Sequence, residues 1–111
     1  MNNKSKVKHP DIHYKVMDLI HKNPDITQRE LAQKTSISLG SIHYCLKALA
    51  SKGWVKVGNF KKNPDKSIYL YLLTQEGILQ KSKLALDFLF RKQEEYKQLK
   101  REIEKLSDEI L

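Results

Sequence analysis

From Ile78 to Leu111 the chain contains neither proline nor glycine, and Thr74 stands just ahead of that stretch as an N-cap. Nothing local breaks a helix there, so the pattern predicts one continuous helix of over 30 residues. That is too long for the core of a chain of 111 residues, which has room for one compact domain plus a short appendage. From Leu89 the apolar residues fall into heptad register, with Leu89, Tyr96, Ile103 and Ile110 at one seam position, Leu99 and Leu106 at the other, and Lys92 as the one defect. Just upstream, Leu84, Leu86, Phe88, Leu89 and Phe90 surround the helix almost completely, so that segment must be covered on two sides. Its own domain supplies one cover and a partner chain the other. The expected self-association surface is therefore Leu86, Phe88, Leu89 and Phe90 followed by Tyr96, Leu99, Ile103, Leu106 and Ile110. Along the seam, Glu95, Glu102 and Glu109 flank one side and Gln93, Lys100 and Ser107 the other. A parallel pair would set Glu95 near the partner's Lys100, whereas an antiparallel pair would juxtapose glutamates, which favours parallel pairing.

The segment before this helix reads as a compact unit with local stop and start signals. Residues 1–10 carry Lys4, Lys6 and Lys8 and close at Pro10, the pattern of a flexible basic arm. Asp11 is a candidate N-cap for a helix with apolar positions at Ile12, Val16, Leu19 and Ile20, stopped at Asn23-Pro24. Thr27-Gln-Arg-Glu30 is a capping box, opening a second helix that runs through about Lys34. Ser38 then caps a third, whose stripe is Leu39, Ile42, Cys45, Leu46 and Leu49 and whose end is marked by Gly53. Trp54 to Phe60 and Ser67 to Leu73 alternate with period two, through Val55/Val57 and Ile68/Leu70/Leu72, around the turn-rich Lys61-Lys62-Asn63-Pro64-Asp65-Lys66. The expected fold is mainly α with a small β-hairpin: a winged helix-turn-helix over residues 11–74, then a long C-terminal dimerisation helix, in part a coiled coil, over residues 75–111.

Charge indicates what this unit meets. The chain has 21 Lys and Arg against 13 Asp and Glu, a net charge of +8, and the whole excess lies in residues 1–74. Between Glu30 and Asp65 there is no acidic residue at all, while Lys34, Lys47, Lys52, Lys56, Lys61 and Lys62 lie there. A polyanion approaching that stretch meets no local repulsion. In a helix-turn-helix the second helix enters the major groove with its N-terminal part, and the side chains opposite its core stripe reach the bases. Here that face carries Ser38, Gly40, Ser41, His43, Tyr44 and Lys47. The serines suit phosphate or base, His43 and Tyr44 hydrogen-bond bases or pack on a thymine methyl, and Lys47 suits phosphate or guanine. Lys61, Lys62, Asn63 and Lys66 at the hairpin tip are expected to lie along phosphates or enter the minor groove, and Gln28 and Arg29 to anchor a phosphate at a helix start.

Other chemistries find less support. His9 and His13 are four apart, but His9 precedes Pro10 outside the helix, and His43 and Cys45 diverge on theirs, so no metal or cofactor is expected. A lone Cys45 reads as a small core residue rather than a redox sensor. There is no glycine-rich phosphate loop or nucleophile elbow, so the chain is not expected to be an enzyme. The start MNNKSKVKHP lacks a signal peptide's apolar run and no stretch approaches a membrane span, which points to the cytoplasm.

The run Ser38-Leu-Gly-Ser-Ile-His-Tyr-Cys-Leu-Lys-Ala-Leu49, with Lys52-Gly-Trp-Val-Lys56, Tyr69-Leu-Tyr-Leu-Leu-Thr74 and Gly77, resembles the MarR-type regulators associated with bacterial exopolysaccharide gene clusters. The likeness extends through Arg91-Lys-Gln-Glu-Glu-Tyr96 and Leu99-Lys-Arg-Glu-Ile103. It implies a DNA-binding transcriptional regulator acting as a homodimer on an inverted repeat. MarR-type members typically build the dimer from helices of both termini, and only a ten-residue arm precedes the first helix here. Dimerisation is therefore expected to fall largely on the C-terminal helix. Two rival readings are a winged-helix adaptor that docks proteins and a non-specific nucleic-acid binder; an adaptor has no reason to exclude Asp and Glu from the recognition face.

Overall fold

The computed structural model describes residues 11–59 and 69–111. The basic arm and the hairpin tip, with Lys61, Lys62, Asn63 and Lys66, lie outside the described residues. Among the described residues, four helices and a hairpin follow in the order α1 (Ile12–Lys22), α2 (Gln28–Thr35), α3 (Leu39–Ser51), β1 (Val55–Asn59), β2 (Tyr69–Leu73) and α4 (Gln75–Ile110).

Most boundaries are set by side chains a few residues away. At the start of α2 the Glu30 amide donates to Thr27 Oγ1 at 3.0 Å and the Thr27 amide donates back to Glu30 Oε1 at 2.9 Å, a closed capping box. Ser36 ends the helix in the left-handed region at φ 58°. Ser38 Oγ accepts from the Ser41 amide at 3.1 Å and opens α3, and Gly53 follows its end at φ 78°, a conformation that costs glycine nothing. Asp11 departs from the sequence expectation. It occupies the N-cap position of α1, but its carboxylate makes no cap and pairs instead with Arg91 of α4.

Val16, Met17 and Ile20 of α1, Ile26, Leu31 of α2, and Ile42 and Leu49 of α3 form a fully buried centre, which Val55 and Tyr71 close from the hairpin side. The strands pair antiparallel with Val55 opposite Leu73 and Val57 opposite Tyr71. Tyr71 also donates its amide to the Pro24 carbonyl at 2.9 Å, so β2 is fastened to the α1–α2 turn by its outer edge. Because Val55 is buried, its partner Leu73 and the residue two before it, Tyr71, share the inner face, and Leu72 is left outside. The alternation through Ile68, Leu70 and Leu72 thus describes the outer face at its last position; both phases of Tyr-Leu-Tyr-Leu-Leu are apolar, and only the register chooses between them.

The long helix is seated by a knot at its start. Thr74 accepts from the Gly77 amide at 2.9 Å and donates its hydroxyl to the Gly53 carbonyl at 2.6 Å, while its own amide donates to the Trp54 carbonyl at 3.0 Å. From there α4 runs antiparallel along α1, held by Lys81 on Asp18 at 3.1 Å, Phe88 stacked on Tyr14 with centroids 5.2 Å apart, and Arg91 on Asp11. Partial burial opposes ionisation of Asp18, but Lys22 and Lys81 outweigh it and hold the carboxyl below its ordinary range. Leu84 packs against the core between these contacts. Phe88 is consequently half-buried against its own domain, with Lys15 and Lys92 over its ring. From Lys92 to Leu111 every residue is exposed.

Candidate nucleic-acid interface

The two faces of α3 differ sharply. Ile42, Cys45, Leu46 and Leu49 are buried, whereas Ser38, Gly40, Ser41, His43, Tyr44 and Lys47 are all exposed, Tyr44 to 67%. The helix packs through its apolar stripe on α2 and the hairpin, which leaves its N-terminal half and outer face turned away from the body of the domain. The Ser38 hydroxyl is used twice, accepting from the Ser41 amide and donating to Ser41 Oγ at 2.9 Å, so Ser41 keeps its own proton for an outside acceptor. A Cβ added at Gly40 would meet nothing within 4 Å, so the protein's own packing does not demand a glycine there. The missing side chain leaves the helix backbone uncovered at that point.

The neighbouring basic groups divide into exposed and engaged ones. Arg29, in the first turn of α2, and Lys34 and Lys56 are exposed. Gln28 is not comparably available: it is half-buried and its Nε2 donates to the Tyr71 hydroxyl at 3.1 Å, satisfying a phenol whose ring lies in the core. Of the expected pair Gln28 and Arg29, Arg29 is the exposed member. Lys52 lies over the Trp54 ring at 4.6 Å, which occupies its charge beside the hairpin. Of the described acidic residues of this half, Asp11 and Asp18 face α4, where they pair with Arg91 and Lys81, Glu30 closes the capping box of α2, and Asp25 is exposed in the α1–α2 turn. α3 itself carries no carboxylate.

Among the described residues no group of three or more His, Cys, Asp or Glu is placed to hold a metal ion. Burial pushes the Cys45 thiol up to about 11, with Lys52 pulling weakly the other way, and burial together with Lys52 lowers His13. A thiol so seldom ionised, and only 3% exposed, is a packing group. In native protein at neutral pH Cys45 is therefore expected to react with Ellman's reagent only as fast as the domain opens, at least about 100-fold slower than in denaturant. Prompt labelling of the folded chain would contradict the packing assignment. No helix among the described residues is long and apolar enough to cross a membrane.

Residues 10–56 match the family model for winged helix-turn-helix DNA-binding domains. No curated protein matches the chain. Among solved structures, FabT of Streptococcus pneumoniae in complex with DNA is 25% identical, aligns over 77% of this chain and 56% of its own, and has a TM-score of 0.55. A cysteine-to-serine mutant of MarR from E. coli complexed with operator DNA is 34% identical over 65% of this chain and 50% of its own, with a TM-score of 0.55. A MarR/EmrR family transcriptional regulator from Acinetobacter, at 15% identity, 88% and 73% coverage and a TM-score of 0.58, agrees in fold. The structural neighbours are thus MarR-family regulators, and the chain spans about half the length of the first two.

Proposed function

We propose that this winged helix-turn-helix protein, whose structural neighbours are MarR-family regulators, is itself a sequence-specific transcriptional regulator that binds double-stranded DNA as a homodimer. The observation that carries the reading is the outer face of α3, exposed throughout, free of carboxylates and open at Gly40. Lowered into a major groove, the N-terminal half of α3 brings Ser41 and the Gly40 backbone close to phosphates, and His43, Tyr44 and Lys47 to base edges. Arg29 at the start of α2 adds a phosphate contact, and the basic hairpin tip Lys61, Lys62, Asn63 and Lys66 follows the adjacent backbone. Two copies joined by symmetric contacts present two identical recognition helices, so the operator is an inverted repeat with half-sites about 10 bp apart. The exposed apolar seam of α4 supports self-association, since Tyr96, Leu99, Ile103 and Leu106 have no cover among the described residues. The exopolysaccharide genes suggested by the sequence resemblance are our proposed targets, and binding to the promoters of such a cluster is their direct test.

Selection from random duplexes should recover a symmetric motif; recovery of none would remove the sequence-specific reading. On the selected operator, Tyr44→Ala or His43→Ala should flatten discrimination between matched and mismatched sites by about 1–3 kcal/mol per lost base contact. Lys61→Ala/Lys62→Ala should instead weaken all sequences alike and reduce the salt slope by up to about one per lost phosphate contact. An interaction module without a DNA role would show none of these effects, and a non-specific binder would show the salt slope alone.

A further inference from the structure

The unpartnered apolar face of α4 does not begin at the heptad run but extends back to the helix start. Ile78, Leu79, Leu86, Leu89 and Phe90 are 46–55% exposed although the same stretch is anchored to its domain through Lys81, Leu84, Phe88 and Arg91. Counted back from Leu89 in steps of seven, the seam continues through Ser82, and the alternate position through Ala85 and Ile78. The pairing surface therefore spans residues 78–110, and its proximal and distal halves are not alike. The proximal half holds small residues at the seam, Ser82 and Ala85, while the distal half holds Leu99, Ile103 and Leu106.

We propose that two copies pair these helices antiparallel over their full length, a proposal that rests on the homodimer reading above. In a parallel pair like meets like: Ser82 faces Ser82, Ala85 faces Ala85 and Lys92 faces Lys92, so two layers are underfilled and one sets lysine against lysine. Reversing one helix about a two-fold axis beside Glu94 puts Ala85 opposite the partner's Ile103 and Ser82 opposite the partner's Leu106. Small then meets large in both layers, which is how facing positions fill a helix interface without voids. Leu89 meets the partner's Leu99, Ile78 meets the partner's Ile110, and Lys92 meets the face of the partner's Tyr96, a favourable place for a cation.

The charge argument for parallel pairing loses its force once the helix is followed to its start. Glutamates face each other all along an antiparallel seam only if the distal segments pair among themselves. With full overlap, Glu109 falls beside the partner's Lys81 and Lys100 lays its aliphatic stem along the partner's Leu86. Only Glu95 lies near its own copy across the axis, and each Glu95 already accepts from Lys92 of its own chain at 3.2 Å. The parallel Glu95–Lys100 pair is solvent-exposed and therefore a smaller effect than layer filling. In this arrangement the distal half of each helix lies on the half of the other that is riveted to α1, so each winged helix is held by both helices. Half-site spacing is then set by a rod rather than by two domains swinging from one end.

Cysteine pairing in the full chain distinguishes the orientations, with native Cys45 buried and out of reach in every variant. Ala85→Cys and Ile103→Cys are made separately, and each is oxidised alone and as an equal mixture, because a disulfide forms only where Cβ atoms approach to about 4 Å. The antiparallel dimer gives covalent heterodimer in the mixture at about tenfold or more over the homodimer of either variant alone. Covalent homodimer from each variant alone would establish the parallel dimer and overturn the proposal. Leu89→Cys with Leu99→Cys repeats the test at a second layer, and sedimentation showing dimer with no heterodimer at either layer would likewise overturn it. If the parent chain sediments as a monomer at every concentration, it is the homodimer reading that fails.

Discussion

Gly77→Ala is expected to destabilise the folded chain by roughly 3 kcal/mol, at the upper end of what overpacking costs, and to lower the melting temperature by about 15 °C. A Cβ built at Gly77 stands 2.0 Å from the Trp54 carbonyl oxygen and 2.9 Å from its carbonyl carbon. Both are backbone atoms, so no side chain can swing aside. The carbonyl is also fixed, since it accepts from the Thr74 amide at the same junction. Either α4 lifts from the domain, loosening the Thr74 knot, or the start of β1 moves and disturbs buried Val55. Gly40→Ala is the natural contrast, because nothing lies within 4 Å of its Cβ. There the better helix propensity of alanine should stabilise by up to about 1 kcal/mol, while operator affinity falls if the DNA backbone approaches that point. Chemical denaturation of the two variants measures both effects. A Gly77→Ala protein within about 0.5 kcal/mol of the parent would show that the contact yields freely and that the junction is not rigid.

Truncation after Arg91 should leave a folded winged helix that binds a full operator about 100-fold more weakly, or worse, because the second half-site is no longer delivered by a tethered copy. The structure explains why folding survives. Leu84, Phe88 and Arg91 keep their contacts with the core, Tyr14 and Asp11, and every residue removed is exposed. Half-site affinity should change little, since α3 and the hairpin are intact. Sedimentation and titration of half and full operators measure the two quantities separately. A truncated monomer that still bound the full operator as tightly as the parent would remove the dimer from the mechanism. An unfolded product would assign the distal helix to the core.

Much of the fold is readable from neighbours within four positions of each other. Thr27 and Glu30, Ser38 and Ser41, and Thr74 and Gly77 satisfy backbone groups that any helix start leaves open, so their meaning does not depend on what the helix later packs against. The stripe Ile42, Cys45, Leu46 and Leu49 likewise needs only the helical period to define an inner face, and the exposed Ser41, His43, Tyr44 and Lys47 follow as its complement. The candidate interface was legible for that reason, together with the absence of carboxylates that no local structure requires.

Contacts between distant positions were not readable in this way. Asp11 has the chemistry of an N-cap, and nothing before the fold reveals that Arg91 competes for its carboxylate. Gln28 has the look of an exposed helix start until Tyr71 takes its amide, and Phe88 that of an interface ring until Tyr14 stacks on it. In β2 both phases were apolar, so the inner face was decided by pairing with β1 rather than by its own pattern. Gly77 gave no signal at all of the carbonyl it must clear. What the sequence by itself determined is therefore the position and period of each helix and the charge of the outer face of α3, because those depend on bonds and spacings within a turn or two. Only the tertiary structure decided which side chains are consumed inside the domain and how much of α4 remains apolar and uncovered, because those depend on the strands and helices meeting across separations of up to eighty residues, as Asp11 meets Arg91.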